Sequence, residues 1–178
     1  MANNTLTAPV GEDVTVQKVQ NYLYGKLATA GLWSGTITGY GRAYKNKTED
    51  AEKLEWYNAT ESDYQDVYYD DNSDAVFFFL MGDSDDSEDG YVFKSAAKIV
   101  FMVDLSKIIT GSERMDAKAH LDVMDILRDL RGKVNITGIE KGIEQVFSGI
   151  DTEGIKFNDI QPTHCFAIKV DLFYRLQC

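Results

Sequence analysis

The chain is poor in the residues that staple, ligate or kink. Its 178 residues include two cysteines, two histidines and two prolines. Cys165 and Cys178 are too few for a disulfide framework, so a reduced intracellular chain is the expectation. No CxxC, HxH or HExxH spacing occurs, and a zinc site has no support. The most apolar runs, Val76–Met81 and Ile99–Val103, fall far short of the roughly 20 residues that span a bilayer. The N-terminal stretch has neither a basic nor an apolar region of the kind a secretory signal carries. On that reading the N-x-S/T patterns at Asn3, Asn46, Asn58 and Asn135 carry no glycosylation meaning. Basic residues are also scarce: 18 against 29 acids, a net charge of −11. That excludes general nucleic-acid binding, which depends on Lys and Arg neutralising phosphates, and attraction to an anionic membrane surface.

What is present is ample for a folded core. Apolar residues make up 44% of the chain and aromatics 12%, which argues against disorder. The length fits a single domain over residues 1–178. Residues 1–12 read as an unanchored arm. Val16, Val19, Leu23, Leu27 and Ala30 recur at helical spacing, so a helix is expected to about Ala30. Asp13 or Thr15 is placed to cap it, and Gly31 to end it in a left-handed conformation. Thr36–Lys45 reads as a glycine-broken strand. Residues 46–63 read as a long acidic loop with at most one short strand, and residues 82–90 as an acidic tip. Tyr64–Tyr69 and Ala75–Met81 read as strands joined by a turn at Asp70–Asp74. Val76–Leu80 is too apolar for a strand with one wet face and should be buried on both sides, in this fold or against a partner chain.

Tyr91–Leu105 reads as a long strand and Glu113–Leu130 as a helix capped by Ser112. Its expected buried stripe is Leu121, Met124, Leu127 and Leu130, flanked by Val123 and Ile126. A short helix is expected at Ile139–Phe147. His164–Leu176 alternates, with Phe166, Ile168, Val170, Leu172, Tyr174 and Leu176 on its core face. Strands in a consecutive run imply an α+β fold: an antiparallel sheet with helices on one face.

The excess charge is local. Between Glu49 and Gly90 there are 15 acids and one base, Lys53. Solvated loops account for such a segment in the simplest reading. Its aromatic residues point further, because aromatic anchors are enriched in protein contacts. Trp56, Tyr57, Tyr64, Tyr68 and Phe78 are therefore candidate subunit-interface residues. The same tyrosines also suit a structural core.

The motifs of catalysis fail in turn. Asp85-x-Ser87-x-Asp89-Gly90-x-Val92 matches the start of an EF-hand loop, but Ala96 stands where a bidentate Glu is needed and the flanks read as strands. A solvated hairpin tip is the expectation there. His164 and Cys165 are neighbours on a strand and face opposite ways, so they form no nucleophile–base pair. The glycines at 31, 35, 39 and 41 precede no GK[ST], and GxSxG does not occur. Pairing of Asp70, Asp71 and Asp74 is uninformative in so acidic a segment. No catalytic, cofactor-binding or metal residue is assigned, and a non-enzymatic structural or interaction protein is expected.

The layout resembles the tail-terminator and neck-ring (head–tail connector) proteins of tailed bacteriophages. An amphipathic helix, Val16–Ala30, leads into a strand ending Gly39-Tyr40-Gly41-Arg42. An aromatic–acidic middle follows, then a long strand (Lys98–Asp104), a helix (Ala117–Arg131) and a closing strand (Phe166–Leu176). The tract DVYYDDNSDAVFFFL is similar to a segment in neck proteins of short-tailed phages of the crAss-like kind. The resemblance spans about residues 10–178 as architecture, and the segment 46–63 has no counterpart in the shorter tail terminators. It implies a tail-terminator-like fold and a ring, six- or twelve-fold, in the virion neck or tail, made in the host bacterial cytoplasm. The implied partners are further copies of the chain and adjoining neck, tail or portal proteins, with no membrane. An acidic inner surface would let the genome pass without specific binding. Asp83, Asp85, Asp86, Glu88 and Asp89 are the candidate DNA-repelling acids. The alternative is an acidic DNA mimic or inhibitor that binds a basic partner.

Overall fold

The computed structural model describes residues 2–47, 52–111 and 113–175. In chain order the elements are β1 (Ala2–Asn3), α1 (Glu12–Tyr24), β2 (Ile37–Lys47), β3 (Glu52–Asn58), β4 (Asp63–Asp66), β5 (Ala75–Ser87) and β6 (Val92–Asp104). Then come α2 (Leu105–Ile108), α3 (Met115–Arg128), β7 (Val134–Lys141), α4 (Ile143–Val146) and β8 (Thr163–Arg175). The fold is α+β. Seven strands form one mixed sheet in the order β4-β3-β2-β5-β6-β8-β7, and β1 adds to β2.

The sheet is mixed, where an antiparallel one was expected. β2, β3 and β4 form a meander, so β4 runs in the direction of β2. The chain then crosses the sheet through residues 67–74, with Val67 and Tyr69 packed on its face, and starts β5 on the other side of β2. A strand begun there runs parallel to β2, and Ile37 pairs with Ala75 and Ala43 with Leu80. β5, β6, β8 and β7 are antiparallel neighbours.

Alternation along β5 divides the core. Phe77, Phe79 and Met81 join one apolar cluster; Val76, Phe78 and Leu80 join the other. The run is thus buried on both faces, as its composition required. The first cluster takes Val16, Val19 and Leu23 of α1, Leu105 and Ile108 of α2, and Val123, Ile126 and Leu127 of α3. The second is closed by Val146 of α4 with Phe147, Ile155 and Phe157. No helix among the described residues is long and apolar enough to cross a membrane.

Several sequence expectations are corrected. Residues 1–12 are anchored: Ala2 and Asn3 pair with Thr38 and Gly39, and the Asn4 amide donates to the carbonyls of Tyr40 and Tyr57, both at 2.8 Å. Within residues 46–63 the short strand that the loop reading allowed is the seven-residue β3, Glu52–Asn58, because Leu54 and Trp56 alternate inward beneath the surrounding acids. The strand expected at Tyr64–Tyr69 is β4, which stops at Asp66. Residues 82–90 extend β5 to Ser87, since Asp85, Asp86 and Ser87 keep pairing with Ser95, Lys94 and Phe93 past a bulge. Gly82 permits that bulge, for a Cβ there would stand 2.8 Å from the Ala96 carbonyl oxygen.

The helix expected at Ile139–Phe147 is split. Gly142, at φ +86°, ends β7 and begins α4. Ile139 consequently packs in the first cluster and Val146 and Phe147 in the second, which imitates helical spacing in the sequence.

α1 starts at Glu12 without a side-chain cap: Asp13 turns to Arg42, and the Thr15 hydroxyl donates to the Phe173 carbonyl. The helix continues as a π-helical turn (Gly25–Thr29), and Gly31 follows at φ +71°. α3 is rotated from the expected stripe. Ala119, His120, Asp122, Val123, Ile126 and Leu127 face inward, and Leu121 is 50% exposed. Trp33 Nε1 donates to Asp122 at 3.1 Å, and a buried indole N–H that needs an acceptor fixes which side of α3 turns in. Met1, residues 48–51, Ser112 and the last three residues, Cys178 among them, lie outside the described residues.

Candidate functional site

The acidic arm grows directly out of the sheet. Beyond Leu80, β5 has no ladder partner on its β2 side among the described residues, whereas β6 and β8 continue alongside it. Phe93 stacks on Tyr174 at 5.5 Å and forms the apolar spine of the arm. Asp83, Asp85, Asp86, Glu88 and Asp89 are all exposed. Four of them are engaged within the chain. Asp83 pairs with Lys45 at 2.7 Å, which holds its carboxyl below the usual range. Asp85 accepts from the Tyr174 hydroxyl at 2.6 Å, and Asp86 faces Lys94 at 3.8 Å. Asp89 accepts the backbone N–H groups of Val92 at 2.9 Å and Tyr91 at 2.8 Å, so its carboxyl too is held low. The EF-hand-like tract therefore folds as a hairpin tip in which Asp89 spans the turn. Exposed pairs of this kind contribute little stability.

The five candidate interface aromatics separate into two groups. Phe78 is fully buried, its ring 6.2 Å from Phe147. Trp56 is also buried, stacked on Tyr40 at 4.5 Å. Both are core residues of the single chain, which corrects their assignment to a subunit interface. Burial follows from their places on the inward side of β5 and β3. Tyr57, Tyr64 and Tyr68 remain at the surface. Tyr64 is 51% exposed and meets Tyr57 edge-on at 5.2 Å and Tyr44 at 5.3 Å. Tyr68 is 42% exposed, and its carbonyl accepts from the Tyr40 hydroxyl. The β3–β4 hairpin thus carries one exposed tyrosine, Tyr64, packed on half-buried Tyr57 and Tyr44 beside Glu61, Asp63 and Asp66, while Tyr68 lies past the end of β4.

One constellation escaped the sequence. His120 of α3 and His164 of β8 meet with their Nε2 atoms 3.0 Å apart. The His120 ring packs edge-on against Phe166 at 4.5 Å. Asp159 Oδ1 lies 3.7 Å from His164 Nδ1; the same carboxylate accepts the backbone N–H groups of Cys165 and Ile143, each at 2.9 Å. The tautomers that fit place the proton of His164 on Nδ1, toward Asp159, so that His120 Nε2–H donates to His164 Nε2. Burial, above all, pushes the His120 imidazole down to about 4, aided by the charges of His164 and Lys141 and opposed by Asp116. His164 is lowered too, again chiefly by burial, with Asp159 and Asp116 opposing. Cys165 faces the other cluster, as strand alternation required, and its buried thiol is raised well above the ordinary range.

The pair is therefore a neutral link between α3 and the sheet, with no nucleophile beside it. Among the described residues no group of three or more His, Cys, Asp or Glu side chains converges to hold a metal ion. No spacing rule finds this pair, because an i to i+44 contact depends on how α3 lies across β8. No protein-family model matches the chain, and no curated protein matches it.

Proposed function

We propose that the chain is a non-enzymatic structural subunit of a ring in a phage neck or tail, a tail terminator or head–tail connector of the virion. The observation that carries this reading is the placement of charge. The chain outside the segment 49–90 is close to neutral, while that segment supplies a projecting arm with five exposed acids and an acidic β3–β4 hairpin. Repeated around a ring, such arms present a wall of one sign to phosphates, and a genome would slide past without adhering. Exposed Tyr64, packed on Tyr57 and Tyr44, and exposed Tyr68 support contact with another protein, since tyrosine is enriched at interfaces.

The test is light scattering on a size-exclusion column at low and high protein concentration, followed by negative-stain microscopy of any assembly. A discrete mass with rotational symmetry supports the reading. A chain that stays monomeric throughout and captures a basic protein instead argues for an acidic mimic or inhibitor.

A further inference from the structure

The two outermost strands of the sheet differ in charge. Among the described residues β4 pairs only with β3, and β7 only with β8, so each presents unpaired backbone groups outward at opposite ends of the sheet. The β4 edge carries Glu61, Asp63 and Asp66, all exposed and without a cationic partner among the described residues. The β7 edge carries Arg131, Lys133 and Lys141, likewise exposed and without a carboxylate partner there. A cleft of about 520 Å³ between α1 and the end of β8, at the turn into β7, is lined by Lys18, Lys133 and Arg175.

We propose that copies of this chain join head to tail, the acidic β4 edge of one against the basic β7 edge of the next. The proposal rests on the ring reading above and names the surfaces that would build it. An open strand edge is a template for another strand, and opposite charges select which edge it accepts. β4 against β4, or β7 against β7, sets like charges face to face. That excludes a two-fold dimer through either edge and leaves a heterologous contact, which closes into a ring or runs on as a filament. Exposed Tyr64 lies on β4 to anchor the contact. The arm is a poorer mate for β7: Lys45 reaches across its open edge to Asp83, and Lys94 and Tyr174 occupy Asp86 and Asp85.

Two charge-reversed chains test this. Asp63→Lys with Asp66→Lys makes both edges basic; Lys133→Glu with Lys141→Glu makes both acidic. The measurement is light scattering at low ionic strength for wild type, each variant alone and their equimolar mixture, with circular dichroism to check folding. The expected result is a wild-type assembly that weakens with salt. Each variant alone should need more than about tenfold higher concentration to assemble, because like edges repel. The mixture should recover the wild-type mass. Variants that assemble like wild type overturn the edge pairing and leave the ring reading standing. Variants that stay apart even when mixed also overturn it. A wild type monomeric at every concentration overturns the ring reading itself. If a reversed chain fails to fold, the neutral pairs Asp63→Asn with Asp66→Asn and Lys133→Gln with Lys141→Gln replace it. Neutral pairs that leave assembly unchanged overturn the edge pairing.

Discussion

Acid should loosen the junction between α3 and the sheet, and the histidine pair sets the window. His120 is 4% exposed, and its imidazole is pushed down from 6.5 to about 4, mainly by burial. The unfolded chain takes up that proton as the pH falls through 6.5; the folded chain does not until about 4. Between those values the unfolded state binds more protons, so stability rises with pH there. The full contribution is present above 6.5 and is lost progressively toward 4. The depression corresponds to about 3 kcal/mol at its limit. A second charge cannot relieve the first, because the partner Nε2 lies 3.0 Å away. Carboxylates elsewhere also weaken the fold in acid, so the assay must be differential. Urea unfolding at pH 7.5, 6, 5 and 4 would be followed for wild type and for His120→Leu. The wild type should lose about 2–3 kcal/mol more than the variant between the first and last of these. Equal losses in the two proteins would refute the reasoning and place the acid sensitivity in the carboxylates.

Phe78→Ala should destabilise the isolated chain by about 3–5 kcal/mol in urea titration, because the ring is fully buried within it. Leu127→Ala should cost about 2–5 kcal/mol while Leu121→Ala costs less than about 0.5, and equal costs would deny the observed rotation of α3. Gly82→Ala should force the arm away from Ala96, seen as loss of amide-exchange protection at residues 83–87 with the core strands unaffected. Replacing Asp83, Asp85, Asp86 and Asp89 together with Asn should leave the far-ultraviolet circular dichroism intact. Collapse of the fold in that variant would make the arm a structural cation site.

Legibility followed periodicity. β8 and the doubly buried run of β5 were readable because alternation, or its absence, reports burial directly. β3 was legible only as one short strand without bounds, because its two inward residues, Leu54 and Trp56, sit among acids whose composition mimics a loop. β7 and α4 were merged because Gly142 interrupts a spacing that looks helical on either side of it. The parallel relation of β2 and β5 depends on where the chain recrosses the sheet, and no local pattern encodes that. The interface residues divided for the same reason. Tyr64 lies among acids and Phe78 in an apolar run, but whether that run is buried within the chain or against a partner is settled only by the strand pairing.

Among the described residues the sheet has three open edges, and its charges treat them differently. An exposed edge invites indiscriminate strand addition unless something blunts it. Along the arm, Asp83, Asp85 and Asp86 stand within an exposed stretch of β5, and Lys45 reaches over from β2. An incoming strand would meet both a barrier of charge and an occupied rim. On β7, a strand of eight residues, a bulge between Ile136 and Gly138 interrupts the ladder. β4 is shorter, with four residues. Neither end can grow a long ladder unaided, so any contact there must draw on side chains as well as backbone. Specificity then comes from charge sign and from the tyrosines beside β4. If that balance is correct, truncating Tyr64 to Ala should weaken self-association without changing chain stability by more than about 0.5 kcal/mol, since the ring is half exposed. A matching loss of stability would instead make Tyr64 a packing residue of the β3–β4 hairpin.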